Sequence, residues 1–278
     1  MVKIFFFKEG FFMKKVFIIA AFFSVLFFTG CVSSSTHINK LKISTSDAPE
    51  VHGMNTNWEA HSSMARINGK INVSKHKNVS NSLEGNEVYE MGGVDIAGKL
   101  DYLYKGNTVL TGFGLGYDDG LYHHFTLGWN FLHFEFGGFL GFFHQYSDIQ
   151  YSGEKCSTTK KQDVSLDGSV LWTEDVCTSY TSFGKHKSEY ITSLFAGAFA
   201  GIFIDKYFFN YSFSSYSRNI EIEDKRYSLS SITSHYFTLG YRLNKKFEFG
   251  AGVFLTKVGD KYVKWQLGMA GSISYYLL

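Results

Sequence analysis

Apolar and polar residues alternate with a period of two over most of the chain beyond residue 64. From Val263 the odd positions read Val263, Trp265, Leu267, Met269, Gly271, Ile273, Tyr275 and Leu277, against Lys264, Gln266, Gly268, Ala270, Ser272, Ser274 and Tyr276. Successive side chains of a strand point to opposite faces, so the run predicts one long strand with a greasy side and a small or polar side. Residues 246–257 repeat it with Phe247, Phe249, Ala251, Val253 and Leu255, and 232–243 with Phe237, Leu239, Tyr241 and Leu243. The same reading predicts strands over 88–104, 108–117, 121–130, 133–147 and 207–218. Segment 190–204 is apolar on both faces and gives no phase, and 64–73 (Ala65, Ile67, Ile71, Val73) is the faintest of ten candidates.

The joins between candidates differ in length. Lys105-Gly106-Asn107, Asn130 to Leu132, Asp205-Lys206 and Asn244-Lys245 are tight, whereas 75–87, 148–189 and 219–231 are longer, with short turns also at Asp118-Asp119-Gly120 and Gly259-Asp260-Lys261. Short turns at one rim, longer loops at the other and an even strand number make the pattern of an antiparallel transmembrane β-barrel. About ten strands are expected, with eight to ten compatible with the pattern. On these features residues 64–278 resemble a bacterial outer-membrane β-barrel, a likeness of architecture that rests on no motif. The resemblance implies short periplasmic turns, longer external loops, and contact with outer-membrane lipid and the barrel-assembly machinery.

Which face meets lipid follows from charge. The polar parity carries Arg66, Lys70, Asp95, Lys99, Asp101, Glu135, Arg242, Glu248 and Lys264. Facing lipid at the midplane, an Arg or Lys costs about 2–4 kcal/mol; facing a lumen, such groups can pair with one another. The expectation is a luminal charge cluster of Arg66, Asp95, Lys99, Asp101, Glu135, Arg242, Glu248 and Lys264, part of it sealing the short-turn rim. Tyr102, Tyr104, Trp129, Tyr241, Phe247 and Tyr275 near one rim, and Tyr117, Tyr146 and Trp265 near the other, suit two interfacial girdles. The alternative is a soluble barrel or sandwich, lipid-tethered, with the greasy face inside.

The N-terminus reads as an export signal. Met13-Lys14-Lys15 precedes an apolar run from Val16 to Phe28, too short to span a bilayer as a helix, and residues 1–12 fit an upstream extension. Phe28-Thr29-Gly30-Cys31 resembles the lipobox of bacterial lipoproteins, which implies lipidation at Cys31, engagement of the lipoprotein-sorting machinery and an N-terminal lipid anchor in the outer membrane. Residues 31–63 then read as a polar linker. Beyond Cys31, the remaining cysteines Cys156 and Cys177 read as a disulfide in an oxidising compartment.

Composition removes several classes. A formal net charge of +2 implies neither nucleic acid nor an acidic partner, and 28 glycines with one proline and 18% aromatic residues are unlike a soluble enzyme. No cofactor and no metal site is expected. Candidate catalytic groups are sparse. His123 and His124 are adjacent, so on a strand they face opposite ways and cannot share a site. His186 and Ser188, beside Glu189, resemble the His-x-Ser of lipid A deacylase barrels, without a third member at matching spacing. The leading expectation is a barrel lipoprotein with a structural or surface-interaction role. A narrow channel for small solutes or ions and a hydrolase at the rim are the alternatives. The polar stretch 148–189, with Trp172 and Lys160-Lys161, is the loop best placed for surface contact.

Overall fold

The computed structural model describes residues 36–56, 58–80, 87–164, 170–259 and 265–277. Every regular element among them is a strand: β1 (Thr36–Ser44), β2 (Ser62–Ser80), β3 (Glu87–Lys105), β4 (Val109–Tyr117), β5 (Leu121–Phe131), β6 (Phe134–Val164), β7 (Val170–Ile204), β8 (Tyr207–Tyr216), β9 (Asn219–Ile222), β10 (Lys225–Ser228), β11 (Ile232–Arg242), β12 (Phe247–Val258) and β13 (Gln266–Leu277). Ten of them close a ring in the order β2, β3, β4, β5, β6, β7, β8, β11, β12, β13. The seam is the antiparallel pairing of β13 with β2, from Gly268 opposite Ser74 to Leu277 opposite Ala65. The chain is thus an all-β, antiparallel, closed ten-stranded barrel, and all ten predicted strands are present, including the faint first one and the unphased 190–204.

Parity is as the charges require. Ile71, Ile96, Leu100, Phe113, Phe125, Leu127, Phe136, Leu140, Leu239, Phe249, Met269 and Ile273 are exposed on the outside, while Arg66, Lys70, Lys99, Asp101, Glu135 and Glu248 are buried inside. Of the girdle residues, Tyr102, Tyr104, Tyr117, Trp129, Tyr146 and Trp265 are exposed outward. The soluble reading, which needs the greasy face inside, does not hold. In β7 the odd positions Ile191, Ser193, Phe195, Phe199 and Phe203 face in. That strand defied phasing because the lumen has an aromatic sector: Phe195 lies 5.9 Å from Tyr122 and 5.8 Å from Phe139, ring centre to ring centre.

The loops depart from expectation. Most of 148–189 is strand, because β6 and β7 continue to Val164 and from Val170. Within 219–231 lies a small hairpin, β9 with β10, whose turn residues Glu223 and Asp224 both have positive φ, as a two-residue primed turn demands. A bulge between Ser74 and Lys77 interrupts the β2–β3 ladder. Opposite it Gly92 adopts φ +97°, where a side chain is strained and would strike the Lys75 carbonyl.

By contact density the chain falls into two units. The barrel is Ile38–Gly153 with Phe183–Leu278; Glu154–Ser182 falls in the second. Within the second, Cys156 and Cys177 are disulfide-bonded, their Cα atoms 5.6 Å apart. Cys31 and the signal sequence lie outside the described residues.

The largest departure concerns residues 31–63. Over its described part this stretch is no external linker: Thr36–Ser44 forms β1, and Leu41, Ile43, Ala48, Val51, Met54 and Asn55 are buried inside the barrel. β1 pairs in parallel with the start of β3, Leu41 opposite Glu87 through Ser44 opposite Glu90. β3 runs from the long-loop rim to the short-turn rim, so the parallel chain enters at the long-loop rim and descends through the lumen before turning into β2.

Candidate functional site

The segment from Leu41 to Trp58 fills the lumen and defines the site. Beyond Ser44 it has no regular secondary structure, so its peptide groups must find partners on the wall. Pro49, the one proline of the chain, sits within it and removes one donor from that requirement.

The upper third is held by hydroxyls. Lys42 pairs with Glu90 at 2.8 Å. Tyr216 donates its hydroxyl to the Ser46 carbonyl at 2.8 Å, and Gln145 donates to Ser46 Oγ at 2.9 Å. The Ala48 amide donates to Ser234 Oγ at 2.9 Å while Tyr236 donates to the Ala48 carbonyl at 2.8 Å. In the middle, Glu50 pairs with Lys70 at 2.9 Å, and Ser212 donates to the Val51 carbonyl at 2.7 Å. The Lys70 ammonium also lies 4.0 Å from the Tyr236 ring centre, a cation–π contact strengthened by the dry surroundings.

The lower third is ionic. Glu135 accepts from the amides of Met54 and Asn55 at 2.8 and 3.0 Å. Arg66 donates through Nη1 to the Gly53 carbonyl and through Nη2 to the His52 carbonyl, while Nε and Nη2 grip Asp101. Asn55 donates to Glu248 at 3.0 Å, and Asn210 donates to Asn55 Oδ1. Arg242 reaches the Met54 and Asn55 carbonyls and pairs with Glu248 at 3.1 Å. Asn130 donates to the Thr56 carbonyl at 2.8 Å and to Glu135 at 3.3 Å, and Lys105 donates to the Trp58 carbonyl at 2.8 Å. Asn55 has φ 57°, a left-handed conformation that asparagine tolerates.

Space for all this comes from glycine. A Cβ on Gly53 would run into the Glu135 carboxylate, and one on Gly114 of β4 would strike the His124 ring and the Asp101 carboxylate. Substitution at either would therefore displace charged groups that are themselves buried.

The predicted luminal residues thus divide. Arg66, Lys99, Asp101, Glu135, Arg242 and Glu248 converge, although on the threaded segment more than on one another. Lys99 lies 3.6 Å from Asp101 and His124 Nε2 3.7 Å from it. Asp95 is partly exposed and makes no ion pair among the described residues. Lys264 lies outside them. Sequence reasoning missed Glu50, Asn55, Tyr236 and Tyr276, because their roles exist only once the segment is inside. A surplus of buried-parity Asn, Ser and Tyr on the wall was the available signal.

At the upper mouth Asp118, in the β4–β5 turn, is buried and accepts from Asn72 at 3.4 Å. Burial pushes its carboxyl up to about 7, opposed by Lys70 and reinforced by Asp47 and Glu50. The neighbouring Asp119 carboxyl is also raised by burial.

The histidine candidates do not assemble. His123 faces out, its ring 5.5 Å from those of Phe142 and His144, and His124 faces in. His186 Nε2 is 3.6 Å from Asp148 and Ser188 donates directly to Asp148. Serine and histidine therefore share one acid, whereas a nucleophile needs a bond to its base. Among the described residues no cluster of three His, Cys, Asp or Glu side chains could hold a metal.

No protein-family model and no curated protein matches this chain. Solved structures resemble it only remotely. An outer-membrane channel from Pseudomonas putida F1 is 7% identical, over 82% of this chain and 100% of its own, with a TM-score of 0.44. The NanC porin is 9% identical over 77% and 100%, with a TM-score of 0.34. The outer membrane protease OmpT from Escherichia coli is 10% identical over 80% and 99%, with a TM-score of 0.36. At these values nothing about activity follows from the likeness, and what can be said of the chain itself is that it is a closed ten-stranded antiparallel barrel whose lumen is occupied by its own N-terminal segment.

Proposed function

We propose that the protein is a narrow outer-membrane channel for small solutes, held shut at rest by residues 41–58. The observation that carries this reading is the irregular backbone of residues 45–56, tethered to the wall by side chains, with strand pairing confined to Leu41–Ser44. Each of these polar contacts can be exchanged for water on release, a step that must also expose the buried side chains of Leu41, Ile43, Val51 and Met54. The outward apolar band supports placement in the outer membrane, with the acyl chains of a modified Cys31 adding to retention.

The test is conductance in planar bilayers. Wild type is expected to be closed most of the time, and a variant lacking residues 41–55 to conduct steadily. If deletion prevents folding, Ala48→Cys with Ser234→Cys offers a second route, since the Ala48 amide and Ser234 Oγ are 2.9 Å apart. The oxidised pair should never open and the reduced pair should. A folded deletion variant without conductance refutes the channel.

One observation favours a second reading, surface contact through the β6–β7 hairpin. These strands span 31 and 35 residues, whereas crossing a bilayer takes about 9–11, and a disulfide braces them.

A further inference from the structure

At the short-turn rim, beneath the end of the threaded segment, lies a cavity of about 770 Å³ whose lining includes Trp58, Glu59, Met64, Arg242, Lys245 and Tyr276. The volume is in the range of small-molecule sites. Two N–H donors there, Trp58 Nε1 and Arg242 Nε, are buried without an acceptor. Guanidinium carries five donors and cannot shed its charge. Arg242 Nη2 is already shared among Glu248 and the carbonyls of Met54 and Asn55. Lys245, exposed in the turn between β11 and β12, makes no ion pair among the described residues. Of the nearby carboxylates, Glu248 is engaged by Arg242, Asn55 and Tyr276, which leaves Glu59 as the one acid in the lining. Hydroxyls of Thr56, Ser62 and Ser63 complete the lining, and beyond the Arg242–Glu248 pair its charges are those of Lys245 and Glu59.

We propose that this cavity binds a small polyvalent oxyanion, which supplies the acceptors that Trp58 and Arg242 lack and the counter-charge that Lys245 lacks. The inference builds on the reading of the lumen as a closed path and names its ligand class. It also supplies a trigger. An oxyanion drawing Arg242 toward the cavity weakens that residue's bonds to the Met54 and Asn55 carbonyls, which lie 3.2 and 3.3 Å away. Solute arriving from the short-turn side would thus loosen the end of the segment that blocks it.

The experiment is isothermal titration of full-length protein in detergent with citrate, and with glucose as a neutral counterpart. Citrate should bind saturably and glucose should not. Trp58→Phe and Lys245→Gln should each weaken citrate binding about tenfold, the scale of one hydrogen bond to a charged group. Lys245 lies on an exposed turn, so K245Q keeps the test valid should W58F fail to fold. Absence of saturable citrate binding, equal affinity in wild type and K245Q, or equal binding of glucose overturns the proposal. Missing citrate binding in a protein whose deletion variant conducts removes the site and leaves the channel. Binding in a protein that never conducts keeps the site and removes the channel.

Discussion

Glu135 offers the sharpest test of how the segment is held. Its carboxylate takes the amides of Met54 and Asn55 at 2.8 and 3.0 Å, and the side chain is fully enclosed. Replacement by alanine leaves two buried N–H groups without acceptors in the closed state, while in an open state both would face water. Each orphaned donor costs about 1–3 kcal/mol, so the closed state should lose about 3 kcal/mol once some relaxation is allowed. At about 1.4 kcal/mol per factor of ten, the closed-to-open ratio should fall roughly 100-fold. Glu135→Gln keeps one acceptor oxygen, and its amide can serve only one of the two donors, so it should fall between, near tenfold. Single-channel recordings give the open fraction, hydrogen exchange at residues 54–55 gives protection, and the mobility shift on boiling confirms that the barrel is intact. Glu189→Ala, which removes only the ion pair with Lys187, should leave the ratio alone. Equal closed times and equal amide protection in wild type and E135A would refute the tethering argument even if the protein conducts.

Further consequences concern stability. Breaking the buried Arg66–Asp101 pair by Asp101→Asn should cost about 3–5 kcal/mol, whereas an apolar replacement of both partners should recover much of it; unfolding midpoints of heat-modifiable mobility measure both. The Asp118 carboxyl, raised from 3.8 to about 7 in the folded state, binds its proton more tightly folded than unfolded. Its contribution is therefore present below the unfolded value and is lost as pH rises through about 7, with a slope of about 1.4 kcal/mol per pH unit between the two values. Asp118→Asn should flatten that slope when midpoints are compared across the same window. Reducing the Cys156–Cys177 bond, which spans 21 residues of sequence, removes a constraint worth about 3 kcal/mol; protease should then nick the hairpin faster while the barrel's mobility is unchanged. Leu127→Arg, on the outward face of β5, should cost about 2–4 kcal/mol in folding into vesicles if that face meets lipid.

The barrel itself was written in the sequence. Alternation depends only on which way neighbouring side chains point, a local property, so strands such as 246–257 and 263–277 could be read without knowing their partners. Parity followed as well, since Arg66, Lys99 and Asp101 on one face and Ile71, Leu127 and Ile273 on the other leave one affordable arrangement in a bilayer. Two features needed tertiary structure. Residues 148–189 are rich in polar side chains, so their sequence reads as a loop, yet β6 continues to Val164 and β7 begins at Val170, side by side in the sheet, because strand pairing satisfies backbone groups whatever the side chains are. Residues 45–56 show no period at all. Their conformation is fixed by Glu135, Arg66, Ser212, Tyr216, Tyr236 and Tyr276, drawn from strands as much as 222 positions away in sequence. A local pattern cannot announce a structure held mainly by long-range bonds. That is why the charges of the lumen were legible as a cluster, while the chain they hold, and with it the closed state, became visible only when the barrel was complete.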